Sequence, residues 1–377
     1  MKAAGIVVEY NPMHYGHMHH YETTRAKTGA DIVIAVMSTH MVQRGEFSIA
    51  DKFTKTLWAL KAGIDIVVEL PGVLSLQSAD RFAYASVSLL DALGVNVICF
   101  GSEQGNTDQL NYIVDYMATE QYNEVLKAHL DAGKSFPSSN ARALEAVFGQ
   151  SLSPNDTLGV QYIRALRALN STATPLAIPR IASGYYEEKV ANERIQSATA
   201  IRKMLANHES IASYVPDFVA KTIKSFPTNG DLLPFLRYKL IATPAETLKA
   251  TMGFEEGIEN RFKKALDVTT YDDLLEKLIT PRYTNANIKR TLMHALIGTQ
   301  KRDITRFDVP YIRVLGMNEN GQHYLSHMKK TLTLPLITKI KQQRHRYLDY
   351  ELLITQLYDL FAKTNHFKKE FEPVIMY

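Results

Sequence analysis

The sequence predicts an α/β fold in which a doubly wound parallel sheet is followed by a mostly α-helical C-terminal domain. Between residues 5 and 181, short apolar runs alternate with segments of helical spacing. The runs lack the polar alternation of half-exposed strands, which indicates strands covered on both faces. After about residue 207 this alternation stops and the patterns become mostly helical. These observations favour a parallel sheet with crossover helices and a separate helical region.

Each element of the sheet follows from this pattern. Four runs rich in β-branched residues and a fifth, later run are the predicted strands: residues 5–10, 31–38, 65–71, 95–102 and 174–181. The predicted helices between them cover residues 51–63, 78–94, 107–133, 138–149 and 155–169. The first two of these helices end in glycine, as helices often do.

The C-terminal part is predicted to be mainly helical, and one late apolar run, residues 309–317, is expected to add a strand there. The turn-forming stretch "SFPTNGD" lies near the start of this part. We therefore divide the chain into an α/β domain, residues 1–206, and a mainly helical domain, residues 207–377.

Composition limits the class of protein. With 46% hydrophobic and 22% charged residues, the chain is neither disordered nor collagen-like. Cys99 is the single cysteine, so no disulfide can form within the chain, which favours a reducing compartment. The first apolar run is too short for a signal peptide, and no run reaches the roughly 18 to 20 residues of a membrane helix. We expect a soluble, cytoplasmic protein with no membrane contact.

Positive charge is concentrated in one region. The net charge is only +4, yet residues 282–346 hold thirteen Lys or Arg and three acids. Such asymmetry predicts a polyanionic partner for this region. A solvated basic face is the alternative.

Four of the twelve histidines lie within seven positions, in "HYGHMHH", directly after the first strand. Ligands of open parallel sheets bind beyond the carboxyl ends of the strands. His14 and His17, three apart on a first helical turn, project to one side, where free N–H groups attract phosphate. Two imidazoles aimed at one phosphate would stabilise the charge that develops when pyrophosphate is displaced from an α-phosphate. Pro12 fixes the turn, and Gly16 lets a ligand approach the backbone.

Two other interpretations of the histidines remain, a zinc site and surface histidines without a role. A zinc site is an alternative, but the cluster lacks a carboxylate or cysteine at metal-ligand spacing, so no metal site is predicted. His19 and His20 are weaker candidates, which would pack or face solvent.

A second motif, "IQSATAIRKML" (195–205), follows the fifth strand. Ser197 would cap a helix, and Thr199 with the exposed N–H groups would hold the β- and γ-phosphates. Arg202, one turn further on, would neutralise the leaving pyrophosphate. "HYGH" and this motif resemble the two signatures of the His-x-Gly-His nucleotidyltransferase superfamily, whose fold is Rossmann-like. Ala198 stands where the superfamily tends to have a second serine.

Further runs resemble one family, the bacterial tRNA(Met) cytidine acetate ligases, in order along nearly the whole chain. They include "NPMHYGHMHH", "MVQRGEFSIADK", "GIDIVVELP", "QSADRFAYASVSLL", "FGSEQG", "SPNDTLGVQYIRAL", "PRIASGYY", "EEGIENRF" and "TPRYTNANIKRTLMHALIG". The resemblance implies that ATP, accompanied by Mg²⁺, activates acetate as acetyl-adenylate. The acetyl group then passes to N4 of the wobble cytidine of elongator tRNA(Met), giving N4-acetylcytidine. Residues 1–206 would be the ATP-binding catalytic domain and residues 207–377 the tRNA-binding domain.

The resemblance also implies site residues. The ATP-binding positions are Val7, Val8, Glu9, Tyr10, Asn11, Pro12, Met13, His14, Tyr15, Gly16, His17, Met18, His19, His20, Gly101, Asn155 and Arg180. Asn155 has an alternative role as a helix cap. His14 and His17 are the predicted catalytic pair.

Two sets of charged residues complete the candidates. Arg282, Lys289 and Arg290 are predicted to grip RNA phosphates while aromatic side chains such as Tyr283 stack on bases. Arg44, Glu46, Asp51 and Lys52 form a charged patch after the second strand. This patch would hold acetate or phosphate, or would be a salt-bridged loop.

Two rival functions stay open. A small-molecule adenylyltransferase explains both phosphate motifs but leaves the basic region without a role. A non-catalytic RNA-binding protein with a nucleotide site explains the basic region but not the intact histidine motif. No protein partner is predicted.

Overall fold

One mostly parallel sheet organises the chain in the computed structural model, which describes residues 1–180, 196–255, 257–340 and 345–377. The strands in those residues are β1 (Ala3–Val8), β2 (Ile32–Ser38), β3 (Met41–Val42), β4 (Glu46–Phe47), β5 (Ile66–Leu70), β6 (Val97–Ser102), β7 (Thr174–Pro179), β8 (Ile312–Met317), β9 (Leu336–Ile337) and β10 (Ile375–Met376). The large sheet has the order β10-β8-β5-β2-β1-β6-β7, with β9 beside β8. β3 and β4 form a separate antiparallel hairpin.

Helices cover both faces of this sheet and build most of the C-terminal part. The first nine are α1 (Tyr15–Thr28), α2 (Lys52–Lys61), α3 (Gly72–Ser75), α4 (Ala79–Ala92), α5 (Thr107–Met117), α6 (Glu120–Asp131), α7 (Phe136–Phe148), α8 (Pro154–Ala168) and α9 (Ala198–Ala206). The others in the described chain are α10 (Asp217–Ala220), α11 (Asn229–Ala242), α12 (Ala245–Lys249), α13 (Ile258–Lys264), α14 (Tyr271–Leu278), α15 (Asn285–Ile297), α16 (Glu319–Met328) and α17 (Arg346–Ala362). Short 3-10 helices span Lys301–Asp303 and Phe367–Phe371. The predicted fold class is therefore confirmed.

Burial on both faces explains the continuous apolar runs. Every residue of β2 and β5 is buried. Alternate side chains of β2 enter two different apolar clusters, with Ile32 and Ile34 in one and Val33 and Ala35 in the other. A strand that contacts two cores has no solvent face to be marked by polar residues.

The five predicted strands form within two residues of their expected bounds, and all pair in parallel with their neighbours in the order β5-β2-β1-β6-β7. The predicted helix over 107–133 is two helices, because the Thr119 side chain starts α6 by accepting a hydrogen bond from the backbone N–H of Tyr122. Within the described residues, no helix is long and apolar enough to cross a membrane.

The late apolar run forms β8, but this strand joins the N-terminal sheet. It pairs antiparallel with β5, with Val67 opposite Gly316, and β9 and β10 then pair in parallel with β8. The partner of β8 follows from tertiary packing, since an apolar run of this length does not specify which strand it pairs with. The sheet thus draws on both halves of the chain, and the domain division at residue 206/207 stays a prediction.

A buried ion cluster attaches the C-terminal elements to the sheet. Lys52 Nζ lies 2.8 Å from a carboxylate oxygen of Glu69, 2.8 Å from Glu370 and 3.3 Å from Glu351. Arg313 on β8 lies 2.9 Å from Glu69 and 2.5 Å from Glu370. For Lys52, the salt-bridge interpretation of the charged patch is therefore the one observed.

Candidate active site

The carboxyl end of β1 is fixed by a buried lysine. Lys55 Nζ donates to the backbone carbonyls of Glu9, Ser38 and Thr39 at 2.8, 2.7 and 2.6 Å. Burial lowers the pKa of Lys55 to about 7. These three bonds tie the end of β1 to the end of β2, so the turn that follows β1 starts from a rigid point.

That turn has an unusual backbone. Tyr10 has a φ of 48°, and the Asn11–Pro12 peptide bond is cis. The Asn11 side chain accepts a hydrogen bond from the backbone N–H of Ile49 at 2.9 Å. The chain then enters α1 with His14 as the residue preceding the first helical position.

His14 and His17 stack on each other, with ring centroids 3.8 Å apart and an interplanar angle of 28°. The backbone N–H of His14 donates to Nδ1 of His17 at 3.2 Å. A neutral His17 ring therefore carries its proton on Nε2, which is left to donate elsewhere. Nδ1 of His14 and Nε2 of His20 are buried and have no hydrogen-bond partner among the described residues.

The surroundings keep these imidazoles uncharged. Desolvation, and then the charge of Arg180, lower the pKa of His14 to about 4. Desolvation and the neighbouring His14 hold the pKa of His17 well below its usual range. The pKa of His20 is lowered to about 4, first by desolvation and then by Arg180. At neutral pH the rings are hydrogen-bond donors and acceptors without charge, and a bound phosphate would favour their protonated forms.

Arg180, Gly101 and Asn155 gather at the ends of β6 and β7. A Cβ on Gly101 would lie 3.3 Å from Cγ of Arg180, so the arginine side chain rests against this glycine. Glu103 accepts a hydrogen bond from Asn155 Nδ2 at 2.5 Å and lies 3.8 Å from Nε of Arg180. Ser153, and not Asn155, caps α8 by accepting from a backbone N–H. The capping alternative for Asn155 is thus wrong.

The second sequence motif, on α9, contacts the turn that carries the first motif. Ser197 caps α9 by accepting from the N–H of Ala200 at 3.1 Å, as expected. Arg202 on α9 donates to the backbone carbonyl of Asn11 at 2.9 Å and to Thr199 Oγ1 at 3.3 Å. α9 is therefore attached through Arg202 to the turn that presents the histidines.

Arg44, a member of the predicted charged patch, also lies at this site. Nη1 of Arg44, in the β3–β4 turn, lies 3.4 Å from Thr199 Oγ1. Burial lowers the pKa of Arg202, an effect that Glu46 opposes and Arg44 reinforces. For the patch that contains Arg44 the sequence predicts acetate or phosphate binding, or a salt-bridged loop. It does not predict the contact of Arg44 with Thr199, because that contact depends on how the hairpin packs against α9.

The remaining candidates belong to the basic C-terminal stretch and to the charged patch after β2. Arg282 is exposed. Lys289 Nζ forms an ion pair with Glu46 Oε1 at 2.6 Å, and Nη1 of Arg290 donates to the carbonyl of Gln43 at 3.4 Å. Asp51 caps α2 by accepting from two backbone N–H groups. In the part of the chain that the structure describes, no group of three or more His, Cys, Asp or Glu side chains could hold a metal ion.

The hydrogen-bond donors and positive charges of this site suit the binding of phosphates. The carboxyl ends of β1, β6 and β7 present two stacked neutral imidazoles beside Arg180, and α9 adds a hydroxyl with Arg202. Side-chain N–H donors and guanidinium groups match the oxygens of a polyphosphate. "PRIASGYY", one of the sequence runs quoted above, lies outside the described residues from residue 181 onward.

Known proteins resemble the chain over nearly its full length. A family model described as HIGH Nucleotidyl Transferase matches residues 1–372. The chain is 38% identical over 366 residues to the tRNA(Met) cytidine acetate ligase of Geobacillus sp. (strain WCH70), covering 92% of this chain and 90% of that protein. The ligase of the same name from Halalkalibacterium halodurans is 38% identical over 376 residues, covering 93% and 90%. The crystal structure of Thermotoga maritima TmcAL bound with alpha-thio ATP matches 100% of both chains with a TM-score of 0.87 at 27% identity.

Proposed function

The chain belongs to the HIGH nucleotidyl transferase family and, within it, to the tRNA(Met) cytidine acetate ligases, and from this membership we propose that it is an ATP-dependent ligase that acetylates tRNA. Acetate and ATP form acetyl-adenylate and pyrophosphate in the first step. The acetyl group then moves to N4 of the wobble cytidine of elongator tRNA(Met), and AMP leaves.

The observation that carries the first step is the stacked pair of His14 and His17 at the carboxyl end of β1. An acetate oxygen attacks the α-phosphorus while the bond to pyrophosphate breaks, so negative charge builds on the phosphate oxygens. Nδ1 of His17 accepts the bond from the His14 backbone, so the Nε2–H group of His17 donates to these phosphate oxygens. His14, whose Nδ1 has no partner within the described residues, is the second donor once a phosphate restores its proton.

Residues of α9 would bind the leaving pyrophosphate. Thr199 and Arg202 would bind the β- and γ-phosphates, with Ser197 keeping the first turn of α9 in place. Val7 to His20, Gly101, Asn155 and Arg180 would contact the remainder of ATP. The described residues offer no carboxylate cage for the Mg²⁺ that would accompany ATP.

The second step needs an RNA base at the mouth of the site. The exocyclic amine of cytidine attacks the acetyl carbon, the bond to AMP breaks, and the amine loses a proton. We assign tRNA binding to the basic stretch 282–346, whose residues 341–344 lie outside the described part. Arg282 is the most accessible of the three proposed contacts, because Lys289 and Arg290 are half-buried against the hairpin. A tRNA substrate and a single cysteine support the proposal that this activity is cytoplasmic.

The test is acetate-dependent ATP turnover with elongator tRNA(Met), with the same tRNA carrying uridine at the wobble position, and without RNA. Digested RNA is searched by mass for an acetylated cytidine. We expect acetylation only of the cytidine-bearing tRNA, and at least a hundredfold lower rate in His14→Ala or His17→Ala, the size of lost transition-state donors. His129→Ala on α6 is the control and keeps full activity.

Other results favour the rival functions. ATP turnover that ignores RNA would indicate a small-molecule adenylyltransferase. Binding of tRNA without any ATP turnover would indicate a non-catalytic RNA-binding protein.

A further inference from the structure

The β3–β4 hairpin carries a cation into the phosphate site. Its strands pair Met41 with Phe47 and Val42 with Glu46, which leaves Arg44 exposed at the tip. Nη1 of Arg44 lies 3.4 Å from Thr199 Oγ1. Nη2 of Arg202 lies 3.3 Å from the same hydroxyl. Two guanidinium groups thus converge on one neutral oxygen.

Among the described residues, the carboxylates that act on the charge of Arg202, those of Glu46 and Glu9, are already engaged. Glu46 pairs with Lys289 at 2.6 Å. Glu9 accepts from the backbone N–H of Gln43 at 2.7 Å and from the hydroxyl of Ser38 at 3.3 Å. Like charges repel, so an arrangement with both guanidinium groups at Thr199 is most favourable when an anion lies between them.

A helix from the C-terminal part holds the hairpin in this place. The Glu46–Lys289 ion pair is shielded, since the two side chains are 24% and 17% exposed. A Cβ on Gly45 would lie 2.5 Å from the backbone nitrogen of Arg290, and Gly45 has a φ of +79°. The hairpin turn therefore rests directly on the backbone of α15, and only glycine allows this approach.

We propose that Arg44 binds the β- and γ-phosphates of ATP together with Arg202, and that the Glu46–Lys289 pair positions it. The inference rests on the proposed function, because it adds a residue to the same nucleotide site. An arginine fork reaches two oxygens of one phosphate at once. Lys289 then acts through Glu46, so the helical part of the chain contributes to ATP affinity without touching the nucleotide.

The first experiment measures Kd values for ATP and AMP by titration calorimetry. Arg44→Gln weakens ATP binding about tenfold or more, the loss expected for one charge-assisted bond, and leaves AMP binding unchanged. Arg142→Gln, an exposed arginine on α7, is the matched control. A variant that loses ATP and AMP affinity equally, or neither, overturns the role of Arg44.

The second experiment separates positioning from RNA contact. Glu46→Lys and Lys289→Glu each weaken ATP binding, and the double exchange restores it because the ion pair re-forms with reversed charges. If Lys289→Glu weakens tRNA binding alone and leaves the ATP Kd unchanged, Lys289 is an RNA contact and the positioning role is wrong.

Acetyl-adenylate formation by the unaltered protein is measured in the same preparations. A protein that forms no acetyl-adenylate refutes the proposed function itself. A protein that forms it, but whose Arg44→Gln variant binds ATP normally, refutes only this inference.

Discussion

At the scale of single residues, the two stacked histidines are held as neutral donors. The pKa of His14 is lowered to about 4 and that of His17 lies well below its usual range. A solvated imidazole is mostly protonated below about pH 6.5, whereas an imidazole whose pKa is lowered by burial stays neutral there. Without ligand, His14 and His17 therefore bind fewer protons in mildly acidic solution than solvated imidazoles would. A bound polyphosphate increases their protonation.

We expect ATP binding to take up protons near pH 6 and fewer near pH 8. Phosphate charge raises the lowered pKa values of His14 and His17, so rings that were neutral at pH 6 bind protons when ATP arrives, whereas at pH 8 they stay neutral. Calorimetry in two buffers of different ionisation enthalpy measures the number of protons. His14→Asn/His17→Asn, which removes both groups, provides the baseline for ATP's own titration. Equal uptake by both proteins would contradict this prediction.

Sequence predicts the residues of local motifs but not those that tertiary contacts bring together. "HYGH" and "SATAIR" each have a spacing with a chemical meaning, and the structure joins them through the bond from Arg202 to Asn11. Arg44 has no such spacing, and Lys289 appeared as a cation available to RNA because its partner Glu46 lies 243 positions earlier.

At the scale of elements, the carboxyl ends of β1 and β2 depend on a helix that touches no phosphate. Lys55, on α2, is fully buried and bonded to three carbonyls. The sequence does not predict this role, because a lysine on a helix is usually solvated.

Replacing Lys55 by methionine should destabilise both the fold and the site. Buried carbonyls left without partners cost about 1 to 3 kcal/mol each, so we expect the free energy of unfolding to fall by about 3 kcal/mol or more. Urea denaturation measures this loss, and the KM for ATP should rise because the turn carrying His14 is released. Lys61→Met, at the exposed end of α2, should alter neither quantity. Wild-type stability in Lys55→Met would show that water satisfies these carbonyls.

The strands show the same limit of prediction. Five parallel strands are visible in sequence because each is an apolar run, and β2 and β5 are buried throughout. β9 and β10 have only two residues each and carry no periodicity. β8 is apolar enough to be recognised as a strand, yet only packing sets it antiparallel against β5.

At the scale of the whole molecule, the buried ion cluster joins three parts of the chain that lie far apart in sequence. Lys52 and Glu69 come from the N-terminal sheet region, Arg313 from β8, and Glu351 and Glu370 from the C-terminal elements. Burial opposes ionisation of Glu370, but Lys52 and Arg313 outweigh it and hold its pKa at about 2. Burial, and then Glu69, raise the pKa of Glu351 to about 7. The pKa of Glu370 is thus lowered and that of Glu351 raised, although both carboxyl groups contact Lys52.

This difference predicts unequal losses of stability for two matched substitutions. Glu370→Gln removes a charge that Lys52 and Arg313 both require, and breaking a buried pair in this way costs about 3 to 5 kcal/mol. Burial raises the pKa of Glu351, so Glu351→Gln removes less negative charge from Lys52 and should cost less stability than Glu370→Gln. Urea unfolding at pH 6, below the raised pKa of Glu351, gives both values. Similar losses in the two variants would mean that Glu351 is ionised, and that the cluster carries a net negative charge which the surrounding core must stabilise.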